Sequence, residues 1–281
     1  MRVIQLASGC AMSSAVRATV IEALAAQEFH FNKGEGSWRR IDAGIKAEFT
    51  TPQKNKLFEN GMTPKQLFLK TIESYDYFIG KIPLQILQDD KDRQEIIDMI
   101  PIFRFVFFHS FRSNPIDIAL CFLRDFSSHS REYRKEIFAD EENNKGMPFV
   151  KWRKSHQRID YKIVGNLDKI ITKIKGENSK LASDAEIARH VPNIVSVDAR
   201  KFLSYQWSDD LMAREYSLEI IKNLMDRMEL QFNYEVVSAY FSSRQGTRTP
   251  PRSHSELQFE EFSNQEFKEA ISANGLGEFW R

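Results

Sequence analysis

SDAEIARHVPNIVSVDARKFLSYQ, residues Ser183–Gln206, is the stretch whose reading sets the expected fold. Its first part predicts a short helix. Ser183 stands as a cap, Glu186 three residues on can close a capping box, and Ile187, Ala188 and Val191 gather apolar atoms on one side. Pro192-Asn193 ends that helix, because proline lacks a donor and biases the preceding residue away from the helical region. Ser196 then stands as a second cap, and VDARKFLSYQ spaces Ala199, Phe202 and Leu203 to face inward. The short side chain of Ala188 lets two helices cross closely. Two capped helices joined by a tight turn are therefore expected, with Asp198, Arg200, Lys201 and Ser204 pointing out.

That arrangement resembles the helix-turn-helix of bacterial regulators, most closely the [ST]-D-x-E-I-A opening of sigma-factor-type domains, carried here by Ser183 to Ala188. The resemblance is confined to residues 183–206, and such motifs usually have a glycine where Pro192 stands. It implies a bacterial or phage protein that binds double-stranded DNA. Arg189, Asn193, Ser196, Asp198, Arg200, Lys201 and Ser204 would then offer side chains to a major groove and its phosphates. An ordinary helical hairpin inside a larger bundle accounts for the same residues.

The neighbourhood supplies a second argument. Residues 149–206 hold twelve Lys and Arg against six Asp and Glu, whereas the whole chain carries a net charge of only +1. A basic field is thus local, as a surface meeting a phosphate backbone would be. Arg153, Lys154, Lys169 and Lys173 belong to that field as candidate phosphate contacts. Ile163, Val164, Leu167, Ile170, Ile171 and Ile174 recur at helical spacing with Lys162, Lys169, Lys173 and Lys175 off the apolar stripe. This predicts a third helix ahead of the pair, which two helices need in order to bury their apolar faces. A long helix over 209–230 should follow, and Phe232–Phe241 fits either a helix or a strand. Residues 242–255 (SSRQGTRTPPRSHS) read as a loop, either an arm for the minor groove or a connector. A last short helix is capped by Ser263 and ends near Asn274-Gly275.

The first half reads as helices. Val16, Val20, Ile21 and Leu24 predict one from Ser13 or Ser14, with the glycine-containing loop 32–37 after it. Thr51-Pro52 and Thr63-Pro64 are helix starts, the second opening a helix to about Ile82. Asp89 or Asp90 begins another, which Pro101 should kink or break. IFRFVFFHSF (102–111) reads as a buried helix, with a core strand as the alternative. Asn114-Pro115 starts the next helix, and 127–138 makes one more. The 22 phenylalanines favour large aromatic clusters. ADEENNKGMP (139–148) has no apolar periodicity, which places a domain boundary there.

Catalytic patterns are sparse. Cys10 and Cys121 are far apart and in no metal or redox spacing, as expected of a chain kept in a reducing compartment. The six histidines form no paired ligand spacing. No nucleophile elbow, phosphate-binding loop or dinucleotide fingerprint is present. LASGC (6–10) resembles a lipoprotein cleavage box but follows too few apolar residues for a signal peptide. Arg104-x4-His109 resembles the R-x4–6-H motif of HEPN ribonucleases, which are all-helical, yet large apolar residues fill the interval. His156 and Asp160 share one helix face as a base and its orienter would.

The expected protein is therefore mainly α. Residues 1–140 form a phenylalanine-rich helical bundle for partner contact, self-association or sensing. Residues 149–281 form a basic tri-helical helix-turn-helix domain with C-terminal helices. The expected function is non-enzymatic DNA binding in transcription control or mobile-element replication, without cofactor, metal or membrane, in the cytoplasm. A helical adaptor subunit of a larger nucleoprotein or defence complex is the first alternative, and a HEPN-like ribonuclease the second.

Overall fold

The computed structural model describes residues 2–8, 12–29, 73–74, 77–126, 162–163, 165–207, 211–246 and 253–281. Helix prevails among them, in eight α-helices, but the centre of the first half is a four-stranded parallel sheet. The elements run β1 (Arg2–Ala7), α1 (Ser13–Ala26), β2 (Phe78–Pro83), α2 (Asp90–Phe103), β3 (Phe105–Phe111), α3 (Pro115–Phe126), β4 (Lys162–Ile163) and α4 (Leu167–Arg189). They continue through β5 (Val195–Asp198), α5 (Ala199–Leu203), α6 (Leu211–Arg227), α7 (Tyr234–Ser243), β6 (Gln258–Phe259) and α8 (Asn264–Ala273).

Two compact units share these elements, and neither is contiguous in sequence. One takes Met1–Ser113 with Leu181–Pro250, the other Asn114–Lys180 with Pro251–Arg281. This replaces the expected division into 1–140 and 149–281; the loop 139–148 lies outside the described residues.

In the first unit all strands are parallel, in the order β2-β1-β3-β5. Parallel strands covered on both faces read as unbroken apolar runs, and RVIQLA and FVFFHSF are buried along almost their whole length. One face carries Val3, Ile79, Val106, Phe108, Val195 and Val197 into a core with α1, α5, α6 and α7. The opposite face carries Ile4, Leu6, Phe78, Phe105 and Phe107 against α2, Leu84, Leu87 and the end of α4 at Ala188 and Val191. The N-terminal part is thus a sheet with helices on both faces, not a helical bundle. Residues 105–111 form a core strand where a buried helix was expected. Pro101 sits inside α2, which ends only at Phe103, where Arg104 takes a left-handed φ of 53°.

The expected helix-turn-helix is replaced by a helix, a turn and a strand. Ser183 does not cap a helix; it lies within α4, which runs unbroken from Leu167, so the first two of the three expected helices are one. Asn193 (φ 56°) turns the chain, and the residues around Ser196 extend as β5 along β3, pairing Phe108 with Val195 and Phe111 with Asp198. The second cap is Asp198 instead of Ser196. Its Oδ1 accepts from the backbone N–H of Arg200 at 2.9 Å and of Lys201 at 3.3 Å, and α5 is a little over one turn long. Ile194, Val195 and Val197 are β-branched, which suits an extended backbone better than a helix.

The second unit gathers α3, the first part of α4, α8 and the two-residue parallel pair β4–β6 around Ile116, Ile163, Ile170, Ile174, Phe259, Phe267 and Ile271. Asn114 starts α3 as its sequence predicts, with Oδ1 accepting from Ile116 N–H at 2.9 Å. Ser263 and Glu266 close a capping box on α8. Among the described residues, no helix is long and apolar enough to cross a membrane. The helices expected at 51 onward, 63–82 and 127–138 lie outside the described residues, apart from β2, which occupies 78–83.

Candidate functional site

The candidate DNA-contacting residues do not converge. Lys169 and Lys173 belong to the second unit, and the set from Arg189 to Ser204 belongs to the first. Arg189 is exposed and paired with Glu186 at 2.8 Å; Lys173 is paired with Glu177. Asn193 and Ser196 are exposed, one in the turn and one on the strand. Asp198 is buried and spent on capping α5, while its own N–H donates to the Tyr216 hydroxyl at 3.0 Å. Arg200 is half-buried, Lys201 exposed, and Ser204 Oγ turns back to the Lys201 carbonyl at 2.6 Å. Arg153 and Lys154 lie outside the described residues, as do His156 and Asp160. The Arg104–His109 pair is separated as well. Arg104 precedes β3 and His109 is its fifth residue, so they lie about 16 Å apart along a strand rising about 3.3 Å per residue.

A different set of polar groups does converge. The starting halves of the central strands bury only apolar side chains, Val3, Ile4, Phe105, Val106 and Phe107 among them. Toward the carboxyl ends the buried residues become Gln5, His109, Ser110 and Asp198, and Asp184 comes in from α4. Gln5 Nε2 donates to Ser110 Oγ across the β1–β3 pair at 2.8 Å and to the Ser13 carbonyl of α1 at 2.9 Å. Ser8 Oγ, one residue past β1, donates to the buried carboxylate of Asp184.

This place has a topological meaning. From β1 the chain passes to β2 on one side, and from β2 back across to β3 on the other. Successive right-handed crossovers in opposite directions put α1 and α2 on opposite faces. The connections leaving β1 and β3 diverge there, and the crevice beyond the carboxyl ends of such strands is where open parallel sheets hold ligands. Helix α1 begins at this end of β1. No side chain caps it, Met12 stands at the cap with a left-handed φ of 52°, and its first turn holds no acid. Its positive end is therefore available to an anion. Arg17, a turn into α1, and Arg112, next after β3, add half-buried guanidinium groups on the flanking segments.

Two buried atoms here lack partners among the described residues: Gln5 Oε1 and His109 Nε2. Gln5 points to the α1 face of the sheet and His109 to the opposite face, where its ring stacks on Phe111 at 5.4 Å. Burial pulls the His109 imidazole from its ordinary 6.5 down to about 4, so the ring is neutral at neutral pH. Asp198 and burial together act on Tyr216, whose hydroxyl is pushed up, burial being the larger cause. Among the described residues no cluster of His, Cys, Asp and Glu could hold a metal ion.

Sequence reasoning passed over this site. Its signal was a glutamine inside an apolar hexamer, followed by the small and hydroxyl residues SGCAMSS and then helical spacing. Those features belong to a strand, its connection and its helix. Comparison of the chain with protein-family models, curated proteins and solved structures finds no match.

Proposed function

We propose that this chain binds a small phosphate-bearing ligand of the nucleotide type at the carboxyl ends of β1 and β3. The observation that carries it is the uncapped, acid-free start of α1 at the switch point of a doubly wound parallel sheet. Anion preference comes from the residues: backbone N–H groups at a helix start, with no side chain capping them and hydroxyls close by. Nucleotide size comes from the architecture, as an analogy with other sheets of this topology.

Titration of the full chain with ADP by isothermal calorimetry tests this, with Ser13→Asp as the informative variant. A carboxylate in the first turn favours the helix dipole by about 0.3–1 kcal/mol while occupying the place of the anion. ADP affinity should fall at least tenfold with the fold intact. Unchanged affinity in a stable Ser13→Asp protein would remove α1 from the site.

Duplex DNA contact through α4 is a second reading. It is favoured by Lys169, Lys175 and Lys180, which have no carboxylate partner among the described residues. It would be sequence-independent and steeply salt-dependent. A mobility-shift series at two salt concentrations tests it, and the absence of any shift at the lower salt would dismiss it.

A further inference from the structure

Gln5 is fully buried, and its amide nitrogen is committed to the Ser13 carbonyl and to Ser110 Oγ. Its oxygen accepts from nothing among the described residues. Flipping the amide would set that oxygen against the Ser13 carbonyl, so the assignment stands. A buried acceptor without a donor is costly, and such atoms are rare unless a ligand or water completes them. Gln5 holds its amide against the first residue of α1, whose start no side chain caps.

Two demands thus meet at one place. The start of α1 calls for negative charge, and Gln5 Oε1 calls for a hydrogen. An anion that carries its own proton answers both. We infer that the site takes a protonated phosphate group whose O–H donates to Gln5 Oε1, and that Gln5 thereby selects phosphate over sulfate. Sulfate has the same shape but carries no proton near neutral pH, so it would oppose lone pair to lone pair. This rests on the phosphate-ligand reading above and adds which form of phosphate is bound. The group can come from inorganic phosphate or from the terminal phosphate of a nucleotide.

The test is calorimetric titration of the full chain with inorganic phosphate, sulfate and AMP at matched ionic strength. Phosphate should bind at least tenfold tighter than sulfate, and Gln5→Met, with folding checked by circular dichroism, should make the two equal. A second comparison needs no variant. A phosphate monoester loses its last proton near pH 6, so AMP affinity should fall at least tenfold between pH 6 and pH 8. Inorganic phosphate keeps a proton over that range and should lose far less, and this comparison decides if Gln5→Met does not fold. AMP tighter than phosphate identifies a nucleotide as the source; equal affinities identify the free ion. Sulfate matching phosphate in the wild type, or AMP binding independent of pH, overturns the role of Gln5 while leaving an anion site standing. Binding of none of the three overturns this inference and the proposed function together.

Discussion

Lowering the pH should cost the first unit stability through a single side chain, His109. The imidazole is 4% exposed, on a strand between Leu6 and Ser196, and its Nε2 meets no acceptor among the described residues. In the unfolded chain it takes a proton near 6.5, in the folded chain only near 4. Above pH 6.5 both states are neutral and the histidine contributes nothing to the pH dependence. As pH falls below 6.5 the unfolded state gains a proton that the folded state refuses, so stability drops, and the loss saturates below about pH 4. At about 1.4 kcal/mol per pH unit the full gap amounts to about 3 kcal/mol, of which about 2 kcal/mol is lost by pH 5. His109→Leu removes the titration and the unpaired nitrogen together. Urea unfolding followed by hydrogen exchange in peptides covering β1 and β3 gives the stability of both proteins at pH 8, 6.5 and 5. Carboxylates elsewhere titrate in both, so the difference isolates position 109. Wild type should lose about 2 kcal/mol more than His109→Leu between pH 8 and pH 5. Parallel curves would show that the ring is solvated or paired in the folded state, and the reasoning would fail.

Two further predictions concern the second unit. Gly176 lies in the middle of α4 where a Cβ would meet nothing within 4 Å, so Gly176→Ala should stabilise the protein by about 0.5–1 kcal/mol in a thermal melt. His254 is buried, with Nε2 2.9 Å from Asp117 Oδ1 and Nδ1 accepting from Arg281 N–H at 3.1 Å. His254→Phe keeps a ring beside Trp280 but loses both bonds, and should destabilise exchange-protected peptides of 253–281 by about 1–3 kcal/mol while leaving those of 2–7 unchanged.

Much of the helical structure is legible from local chemistry. Asn114-Pro115, Ser263 with Glu266, and the Val16/Val20/Leu24 spacing each announce a helix where one stands, because caps and apolar periodicity act over one or two turns. The sheet was hidden for a physical reason. A strand covered on both faces shows no alternation, so RVIQLA and FVFFHSF carry no period, and length and residue type alone separate such a run from a buried helix. The SDAEIA segment misled in the opposite sense. Its capping pattern is real in sequence, but nothing between Ile174 and Ser183 stops the preceding helix: Gly176 is tolerated, and the register of Ile170, Ile171 and Ile174 carries on to Ala188 and Val191. The tail of that helix is needed as cover for Ile4, Leu6 and Phe107, a requirement that only the assembled sheet imposes. The site was illegible because it joins Gln5, Ser110 and Asp184, each unremarkable where it stands in sequence. Strand order brings them together, and strand order is not a local property.

The measurement that bears most directly on the central claim is photolabelling of the full chain with 8-azido-ADP, followed by peptide mapping. Saturable labelling, competed by ADP, should fall on peptides that follow β1 or β3, within 6–29 or 108–126. Saturable labelling confined to the lysine-bearing helix at 169–180, or no saturable labelling at all, would contradict a nucleotide-type site at the carboxyl end of the sheet.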